Sequence, residues 1–372
     1  MNPFKYGDVV TKNNFCNRKG EINRLHEAFR DSQNIILISP RRWGKSSLVE
    51  ESIRKYGQSI IVAKIDCFRC RSVDEFYSLL LKSVLKASDS TIQEIIKTAQ
   101  KFLGDIISSI SFSSEISGEI KIAVELPKRK KDPGYILDLS QRIAKEKKMR
   151  FLICIDEFQK IAEWQDSTAV LAKLRSHWMH HDQVCYCLYG SKKHLMNTIF
   201  TDSAQPFYRF GETIFLKKIP NAEWLEFITG KFQDSGKTIE NDASHMILQL
   251  SQSHSYYTLY LCRLIWSNSD KLISTDVVAQ AFEYFLADHD DIFIRLTDHL
   301  TRYQINYLRA ICAGELKLSS QKVLREYDLG SSGNIKRIEK VMKDLEIIDY
   351  SGGQPTFSEP YFSPLFERRF LD

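Results

Sequence analysis

The hydrophobic pattern over residues 1–220 is that of strands alternating with helices. Residues 34–38 form a short apolar, β-branched run followed by turn chemistry, which is typical of a strand buried on both faces of a parallel sheet. Four comparable runs follow, mostly separated by helix-like segments long enough to be crossovers, at residues 59–65, 150–155, 184–189 and 213–216. This rhythm predicts an α/β fold with a mainly parallel sheet sandwiched by helices.

The second crossover interrupts this rhythm. Residues 74–103 carry apolar pairs at helical spacing and are predicted to be largely amphipathic helix. Residues 110–126 then alternate apolar and polar positions around Ser117-Gly118, which predicts a β-hairpin inserted near residues 107–127. The basic run at residues 128–131 is interpreted as a solvated loop.

Strand signals stop after Pro220, and residues 222–285 show the pattern of several helices. From residue 286, three more helix patterns are followed by two short strand-like runs on either side of residues 351–353. Three helices and a two-stranded wing are typical of a winged helix-turn-helix. The sequence therefore predicts three domains: an α/β core at 1–220, a helical domain at 221–285 and a winged helix-turn-helix domain at 286–372.

The composition is that of a soluble globular protein, with 43% hydrophobic and 27% charged residues. No apolar run approaches the roughly 18 residues that a membrane span needs, and the first residues contain no apolar targeting core. We therefore expect a cytoplasmic protein without a membrane partner. The net charge of +5 comes from 52 basic and 47 acidic residues, so charge alone does not indicate a nucleic-acid partner.

The strongest candidate chemistry lies directly after the first predicted strand. A nucleotide triphosphate is densely negative, so its site needs converging backbone N–H groups, a helix N-terminus and a cation. The segment that offers all three consists of Ser39, Pro40, Arg41, Arg42, Trp43, Gly44, Lys45, Ser46 and Ser47. Ser39 stands where the Walker A pattern has its first glycine, but the strand before the loop and the amphipathic segment 46–56 after it are the context of a phosphate loop.

Each position in this loop has an expected role. Gly44 lets the backbone approach the phosphates, Lys45 reaches the β- and γ-phosphates, and the Ser46 hydroxyl ligates Mg²⁺. Ser47 adds a further phosphate hydrogen bond. Arg41 and its neighbour Arg42 contact either phosphate or an adjoining surface, and the sequence does not choose between these. The loop therefore predicts ATP and Mg²⁺ as ligands.

Two acidic residues follow the apolar run at 150–155. Asp156 is expected to hold Mg²⁺ through water, and Glu157 to polarise the attacking water, as a Walker B pair does. The alternative is a helix N-cap, which also favours acidic side chains. The phosphate loop favours the catalytic interpretation.

Two further residues complete the predicted site. Ser191 follows another strand, in the place expected for a group that senses the γ-phosphate, although an ordinary strand-to-helix turn explains it equally well. Arg209 is a candidate for contact with the nucleotide or for an arginine finger in a neighbouring subunit, and surface ion pairing is the alternative. The oligomeric state, and a cis or trans role for Arg209, stay open.

Several stretches together resemble one known family, the prokaryotic AAA+-like P-loop ATPases often called archaeal-type ATPases, which neighbour the signal-transducing STAND class. The resemblance spans nearly the whole chain. It rests on Phe15-x-x-Arg18-x-x-Glu21-x-x-x-Leu25, Pro40-Arg-Arg-x-Gly-Lys-Ser, Ile65-Asp-Cys-Phe, Ile155-Asp-Glu-Phe-Gln and Tyr189-Gly-Ser. It implies an AAA+/ASCE-type P-loop NTPase core, a helical lid and commonly a winged-helix domain.

The resemblance also implies further binding residues. Phe15 and Arg18 fall in an N-terminal box that borders the adenine in the family. His254, in Ser253-His-Ser-Tyr-Tyr, falls in a segment similar to the Gly-His-Pro-Tyr-Tyr of the family's lid, and residues 358–362 resemble its closing Asp-Pro-x-Phe. Ser39 and Ser255 depart from the family pattern, so we expect slow turnover. We expect no C-terminal nuclease-like domain.

Three functions are compatible with these observations. In the leading hypothesis ATP joins the core and lid, hydrolysis releases them, and the winged helix passes the change to a protein or DNA partner. In the second, the protein is chiefly a module that binds duplex DNA and hydrolyses little ATP; its recognition segment offers Asn334, Lys336, Arg337 and Lys340. Acidic residues in the same region favour a protein contact equally. The third is a scaffold that does not bind nucleotide.

Overall fold

The structure, a computed structural model, describes residues 1–56, 60–104, 110–114, 120–124, 133–351 and 354–371. The chain divides into two compact units. One consists of residues 9–217, and the other of residues 1–8 together with 218–372. Each unit has its own set of buried side chains.

The first unit, residues 9–217, is built on a parallel sheet. Its strands are β1 (Ile35–Ile38), β2 (Ile60–Asp66), β3 (Ile110–Ser114), β4 (Ile120–Val124), β5 (Arg150–Asp156), β6 (Val184–Gly190) and β7 (Glu212–Phe215). Five of them form one sheet in the order β2-β5-β6-β1-β7, and every neighbouring pair is parallel. The predicted α/β fold with a parallel sheet is therefore confirmed.

Helices cover both faces of this sheet. They are α1 (Lys19–Asp31), α2 (Lys45–Tyr56), α3 (Val73–Ser88), α4 (Ile92–Leu103), α5 (Gly134–Leu137), α6 (Leu139–Lys147), α7 (Ser167–Trp178) and α8 (Lys193–Thr201). Ile35 and Leu37 pack with α1 and α2, whereas Ile36 and Ile38 pack with the helices of the other face. Because successive side chains of a strand point to opposite faces, this two-sided cover explains why the run is apolar without a break.

The amphipathic helical structure predicted over residues 74–103 is present as two separate helices. α3 ends at Ser88, and α4 begins at Ile92 after the N-cap Thr91. The Thr91 hydroxyl accepts from the backbone N–H of Glu94, while the Glu94 carboxylate accepts from the backbone N–H of Thr91. This capping box starts a new helix, and apolar spacing alone did not reveal it.

The predicted hairpin corresponds to β3 and β4, which pair antiparallel with Ile110 opposite Val124 and Ser114 opposite Ile120. Its proposed turn at Ser117-Gly118 lies outside the described residues. The basic run at 128–131 lies outside them as well.

The second unit is mainly helical. Its elements are α9 (Asn221–Asp234), β8 (Thr238–Ile239), α10 (Asn241–Leu250), α11 (Ser255–Asn268), β9 (Leu272–Ile273), α12 (Thr275–Thr297), α13 (Arg302–Cys312), α14 (Gln321–Glu326), α15 (Ser332–Asp344), β10 (Ile348–Ser351), β11 (Gln354–Phe357) and α16 (Phe362–Phe370). The two-residue strands β8 and β9 form a short parallel pair that the sequence pattern did not predict. No helix in the described part of the chain combines the length and apolar character needed to cross a bilayer.

Helix α12 runs through the predicted domain boundary at residues 285/286. Its buried face continues across that point with Phe282, Phe285, Leu286 and Phe293. The predicted second and third domains therefore share one helix, and they belong to the same compact unit.

The C-terminal part contains α13, α14 and α15 followed by the antiparallel pair of β10 and β11. Thr301, Ser320 and Ser331 each accept a backbone hydrogen bond at the start of one of these helices. The hydroxyls of Tyr307 and Tyr350 lie 2.7 Å apart and join α13 to β10. The elements predicted for a winged helix-turn-helix are therefore present in the predicted order.

Candidate nucleotide site

The carboxyl ends of three strands meet at one edge of the sheet. β6 lies between β5 and β1, and Ile38 at the end of β1 is in register with Gly190 at the end of β6. The segments after these strands begin with Ser39, Glu157 and Ser191, which therefore converge. Ligands of parallel α/β sheets bind at this edge.

The loop after β1 enters α2 through two left-handed residues, Arg42 with φ 61° and Gly44 with φ 88°. A Cβ atom on Gly44 would meet no other atom within 4 Å. Glycine is therefore favoured there by the backbone conformation and not by lack of space. The first N–H groups of α2, which begins at Lys45, have no partner within the helix, so this helix start is suited to an anion.

Ser39, at the position of the missing Walker A glycine, is fully buried, and its hydroxyl donates to the carbonyl oxygen of Pro40 at 3.1 Å. The backbone of Ser39 is not left-handed, so the loop adopts its conformation without glycine there. Arg41 and Arg42 are exposed.

The Lys45 ammonium lies between the two carboxylates that follow β5. Its Nζ atom is 3.0 Å from Oε1 of Glu157 and 3.2 Å from Oδ1 of Asp156. The Lys45 side chain is only 9% exposed, and the carboxylates are about one-quarter exposed. A largely buried cation thus forms ion pairs with two acidic groups at the point where the sheet edge meets the phosphate loop.

The two carboxylates respond differently to this environment. Burial and the neighbouring Glu157 raise the pKa of Asp156, although Lys45 opposes them. Burial also pushes the pKa of Glu157 upward, but Lys45 and the hydrogen bonds from Gln159 and Ser191 outweigh it, so the pKa of Glu157 is lowered. Glu157 is therefore ionised at neutral pH and able to polarise a water molecule.

The oxygen atoms of Ser46 and Asp156 form a pair suited to a hard cation. The Ser46 hydroxyl donates to Oδ2 of Asp156 at 3.0 Å. Mg²⁺ prefers oxygen ligands and keeps several from water and phosphate, so one hydroxyl and one carboxylate are an appropriate protein contribution. Within the described ranges, no group of three or more His, Cys, Asp or Glu side chains is arranged to hold a metal by itself.

Oxygen Oε2 of Glu157 accepts two more hydrogen bonds. The Ser191 hydroxyl donates to it at 3.0 Å, and Nε2 of Gln159 donates to the same atom. Glu157 is itself left-handed, with φ 50°, a conformation that costs energy in a non-glycine residue and is often found at functional sites. The sequence analysis assigned no role to Gln159; its signal was its place in the stretch Ile155-Asp-Glu-Phe-Gln, two residues after Glu157.

The N-terminal box, which contains Phe15 and Arg18, contacts the phosphate loop. Arg18 is 5% exposed, and its guanidinium donates to the carbonyl oxygens of Trp43 and Lys217, each at 3.0 Å. Phe15 and Trp43 are partly buried against the same cluster of apolar side chains. Arg18 therefore stabilises the loop through these hydrogen bonds. Contact of Phe15 or Arg18 with adenine stays a prediction.

The Ser47 hydroxyl forms a hydrogen bond with the N-terminal segment. Its hydroxyl accepts from the backbone N–H of Val10 at 3.0 Å. One turn later, Glu51 accepts from the backbone N–H of Lys12 at 2.9 Å. The Ser47 hydroxyl thus helps to attach the N-terminal segment to α2, and its predicted phosphate contact is untested.

Two predicted residues are not brought to this cluster by the contacts observed. Arg209 is exposed and lies over the ring of Tyr208. His254 belongs to the second compact unit, where it precedes α11 and is 3% exposed. Their roles at a nucleotide stay predictions.

The sequence profile of a family described as "ATPase domain predominantly from Archaea" matches residues 15–253, more than half of the chain. The chain belongs to this ATPase family. The match covers the N-terminal box, the phosphate loop and the acidic pair after β5, so the resemblance seen in the sequence is confirmed. At the level of the family, the protein is an ATP-binding ATPase.

Solved structures share the fold of this ATPase-family chain. The Walker-type ATPase PABY2304 of Pyrococcus abyssi is 17% identical, with 97% of this chain and 99% of that chain covered and a TM-score of 0.68. The ORC2 protein of Aeropyrum pernix, solved as ADPNP-ADP complexes, is 12% identical, with 96% of each chain covered and a TM-score of 0.57. ORC1 of Aeropyrum pernix, solved in complex with DNA, is 11% identical, with 97% and 94% covered and a TM-score of 0.50. No curated protein matches the sequence significantly.

Proposed function

We propose that this protein is a Mg²⁺-dependent ATPase that uses slow ATP hydrolysis as a conformational switch and signals through its C-terminal winged helix. The observation that carries the proposal is the placement of the Lys45 ammonium against both Asp156 and Glu157. A lysine at the start of a helix and two carboxylates at a strand end are the groups needed for phosphate binding, cation binding and water activation.

Binding of ATP changes the partners of Lys45. The β- and γ-phosphates attract its ammonium away from the carboxylates, because they carry more negative charge. Loss of this partner frees Oε1 of Glu157 to accept a hydrogen bond from the attacking water. Ser46 and Asp156 are the residues that would hold Mg²⁺, which when bound supplies neutralisation of the phosphate charge.

Two features favour slow turnover. Lys45 must exchange two ion pairs before Glu157 is released, and each exchange opposes phosphate binding. Ser39 and Ser255 also replace the glycine and proline of the family's loop and lid. The backbone at Ser39 is nevertheless ordinary, so these replacements are expected to affect turnover more than binding.

The proposed output is the winged helix. Helix α15 exposes Lys336, Arg337 and Lys340 along one part of its surface, which favours duplex DNA as the partner. Asp344 is exposed on the same helix, and this favours a protein partner. Binding of duplex DNA with little hydrolysis is therefore the second candidate function.

The enzymatic proposal is tested by comparing wild type with Lys45→Ala and Glu157→Gln. We expect Lys45→Ala to lose ATP binding, measured as thermal stabilisation by ATP with Mg²⁺, because only ligand binding to the native state raises its stability. Glu157→Gln should retain binding and lose hydrolysis by roughly a hundredfold or more.

A matched control is the exposed ion pair of Lys101 and Glu146, which joins α4 to α6. Lys101→Ala and Glu146→Gln remove the same atoms away from the sheet edge and should leave binding and hydrolysis unchanged. Equal hydrolysis by wild type and both site variants would contradict the enzymatic proposal. Binding without hydrolysis in wild type would favour the second candidate.

A further inference from the structure

We infer that Gln159 is a positioning residue that holds the Glu157 carboxylate in its working orientation, and that residue 190 is glycine to leave room for the Gln159 amide. The inference rests on the proposed function, because Glu157 is the residue proposed to activate water. It assigns Gln159 a role that acts through Glu157, and Gly190 a role that acts through Gln159.

The orientation of the Gln159 amide follows from its partner. Gln159 is 1% exposed, and its Nε2 atom donates to Oε2 of Glu157. An ionised carboxylate can only accept hydrogen bonds, so the amide must turn its NH₂ group toward Glu157. The amide oxygen then faces away from the carboxylate.

No hydrogen bond compensates the burial of the Gln159 amide oxygen. Oε1 of Gln159 is buried and has no hydrogen-bond partner within the part of the chain that the structure describes. Leaving a buried acceptor without a partner costs about 1–3 kcal/mol. A leucine would fill the same space without this cost, so packing alone does not account for glutamine. The hydrogen bond to Glu157 is the contact that does.

Gly190 shows how closely the amide is held. A Cβ atom on Gly190 would overlap Oε1 of Gln159, and it would lie 2.8 Å from Sδ of Met196 and 3.0 Å from Cδ of Gln159. The backbone of Gly190 is not left-handed, so its conformation does not require glycine. Glycine is required there because the Gln159 side chain approaches so closely.

The two carboxylate oxygens of Glu157 have different hydrogen-bond partners. Lys45 binds Oε1, whereas Ser191 and Gln159 both donate to Oε2. When Lys45 moves to the phosphates, Oε2 stays held by two donors and Oε1 becomes available to water. That water bonds to the γ-phosphorus as the bond to the bridging oxygen breaks, ADP leaves with the electron pair, and Glu157 accepts the proton.

The first test compares hydrolysis by wild type, Gln159→Leu and Gly190→Ala. We expect each variant to lower kcat by about tenfold or more while KM stays within about twofold, because the change affects orientation and not ATP binding.

Gln141→Leu is the matched control. Gln141 is a buried glutamine whose Nε2 also donates to a carboxylate, that of Asp182, near the opposite end of β6. Its replacement should lower stability without changing kcat. A Gln159→Leu variant with unchanged kcat would overturn the inference.

The second test does not depend on hydrolysis, so it separates this inference from the proposed function. It measures urea unfolding at one neutral pH, with Lys45 and Asp156 present in every variant compared. Gln159→Leu should lower the free energy of unfolding, because the Glu157 carboxylate loses a hydrogen-bond donor.

The same substitution in a Glu157→Gln background should cost less free energy of unfolding, because a hydrogen bond to a neutral amide is weaker than one to an ionised carboxylate. An equal cost in both backgrounds would show that Gln159 merely packs. If wild type binds ATP without hydrolysing it, the enzymatic proposal fails while this measurement still decides the role of Gln159.

Discussion

Arg18 donates a hydrogen bond to the carbonyl oxygen of Trp43, although the two residues belong to different elements, 25 positions apart. Arg18 is the N-cap residue of α1, and Trp43 lies in the phosphate loop. The same guanidinium also donates to the carbonyl of Lys217, the last residue of the first compact unit. A single buried side chain therefore ties the loop to the N-terminal box and to the end of this unit.

Arg18→Ala should lower the free energy of unfolding by about 1–2 kcal/mol, because two part-buried carbonyl oxygens lose the hydrogen bonds from its guanidinium. Arg18→Lys should restore only part of this, since an ammonium lacks the fork that reaches both carbonyls. Urea unfolding measures the effect. Arg24→Ala, on an exposed side chain of the same helix, serves as the control and should cost less than about 1 kcal/mol. Equal losses in the free energy of unfolding at the two positions would contradict this stabilising role of Arg18.

Gly44→Ala should weaken ATP binding and lower stability by about 1 kcal/mol or more, because alanine is strained in the left-handed conformation of residue 44. Gly230 is the matched control, since it lies inside α9 with open space around its Cβ position. Gly230→Ala should instead stabilise the protein by about 0.5–1 kcal/mol. Isothermal titration with ATP and urea unfolding measure the two effects, and a destabilising Gly230→Ala would show that the helix argument is incomplete.

Lys45→Ala should destabilise the nucleotide-free protein by roughly 3 kcal/mol near neutral pH, because it leaves two largely buried carboxylates without their cation. Without Lys45 the pKa of Glu157 rises. A lowered folded-state pKa contributes stability that is present above the unfolded-state pKa and lost as the pH falls through the folded-state value.

The deficit of Lys45→Ala should therefore shrink as the pH is lowered through the acid range. Unfolding by urea at several pH values measures it. Lys101→Ala removes an exposed lysine and should give a small difference at every pH. A deficit of Lys45→Ala that does not change with pH would mean that the carboxylates are not the groups affected.

If α15 contacts duplex DNA, combined Lys336→Glu and Arg337→Glu should abolish a salt-dependent mobility shift seen with wild type, because each lost phosphate contact lowers the salt slope by about one. The exposed pair Lys322 and Arg325 on α14 provides the control double reversal. No binding by wild type at low salt would exclude DNA as the partner, and equal losses in both variants would indicate attraction by overall charge.

Much of the fold was predictable because its signals are local. The apolar runs of β1, β5 and β6 mark strands buried on two faces, and the loop from Ser39 to Ser47 follows the first of them. The break between α3 and α4 also has a local sequence signal, the capping box of Thr91 and Glu94. The apolar spacing alone did not reveal this break. The continuity of α12 across residue 285 was not predicted, because the boundary there was placed from the helix patterns that follow residue 286.

The sequence by itself determined which residue types lie at the sheet edge: a lysine and a serine at a helix start, and two acids after a buried strand. It did so because strand, loop and helix signals depend on neighbours in the chain. Only the tertiary structure decided that Lys45 pairs with both carboxylates, that Gln159 rather than Ser191 alone holds Glu157, and that Gly190 leaves room for the amide. These contacts depend on how three strands and a helix are packed side by side, and the spacing of residues along one chain does not encode that arrangement.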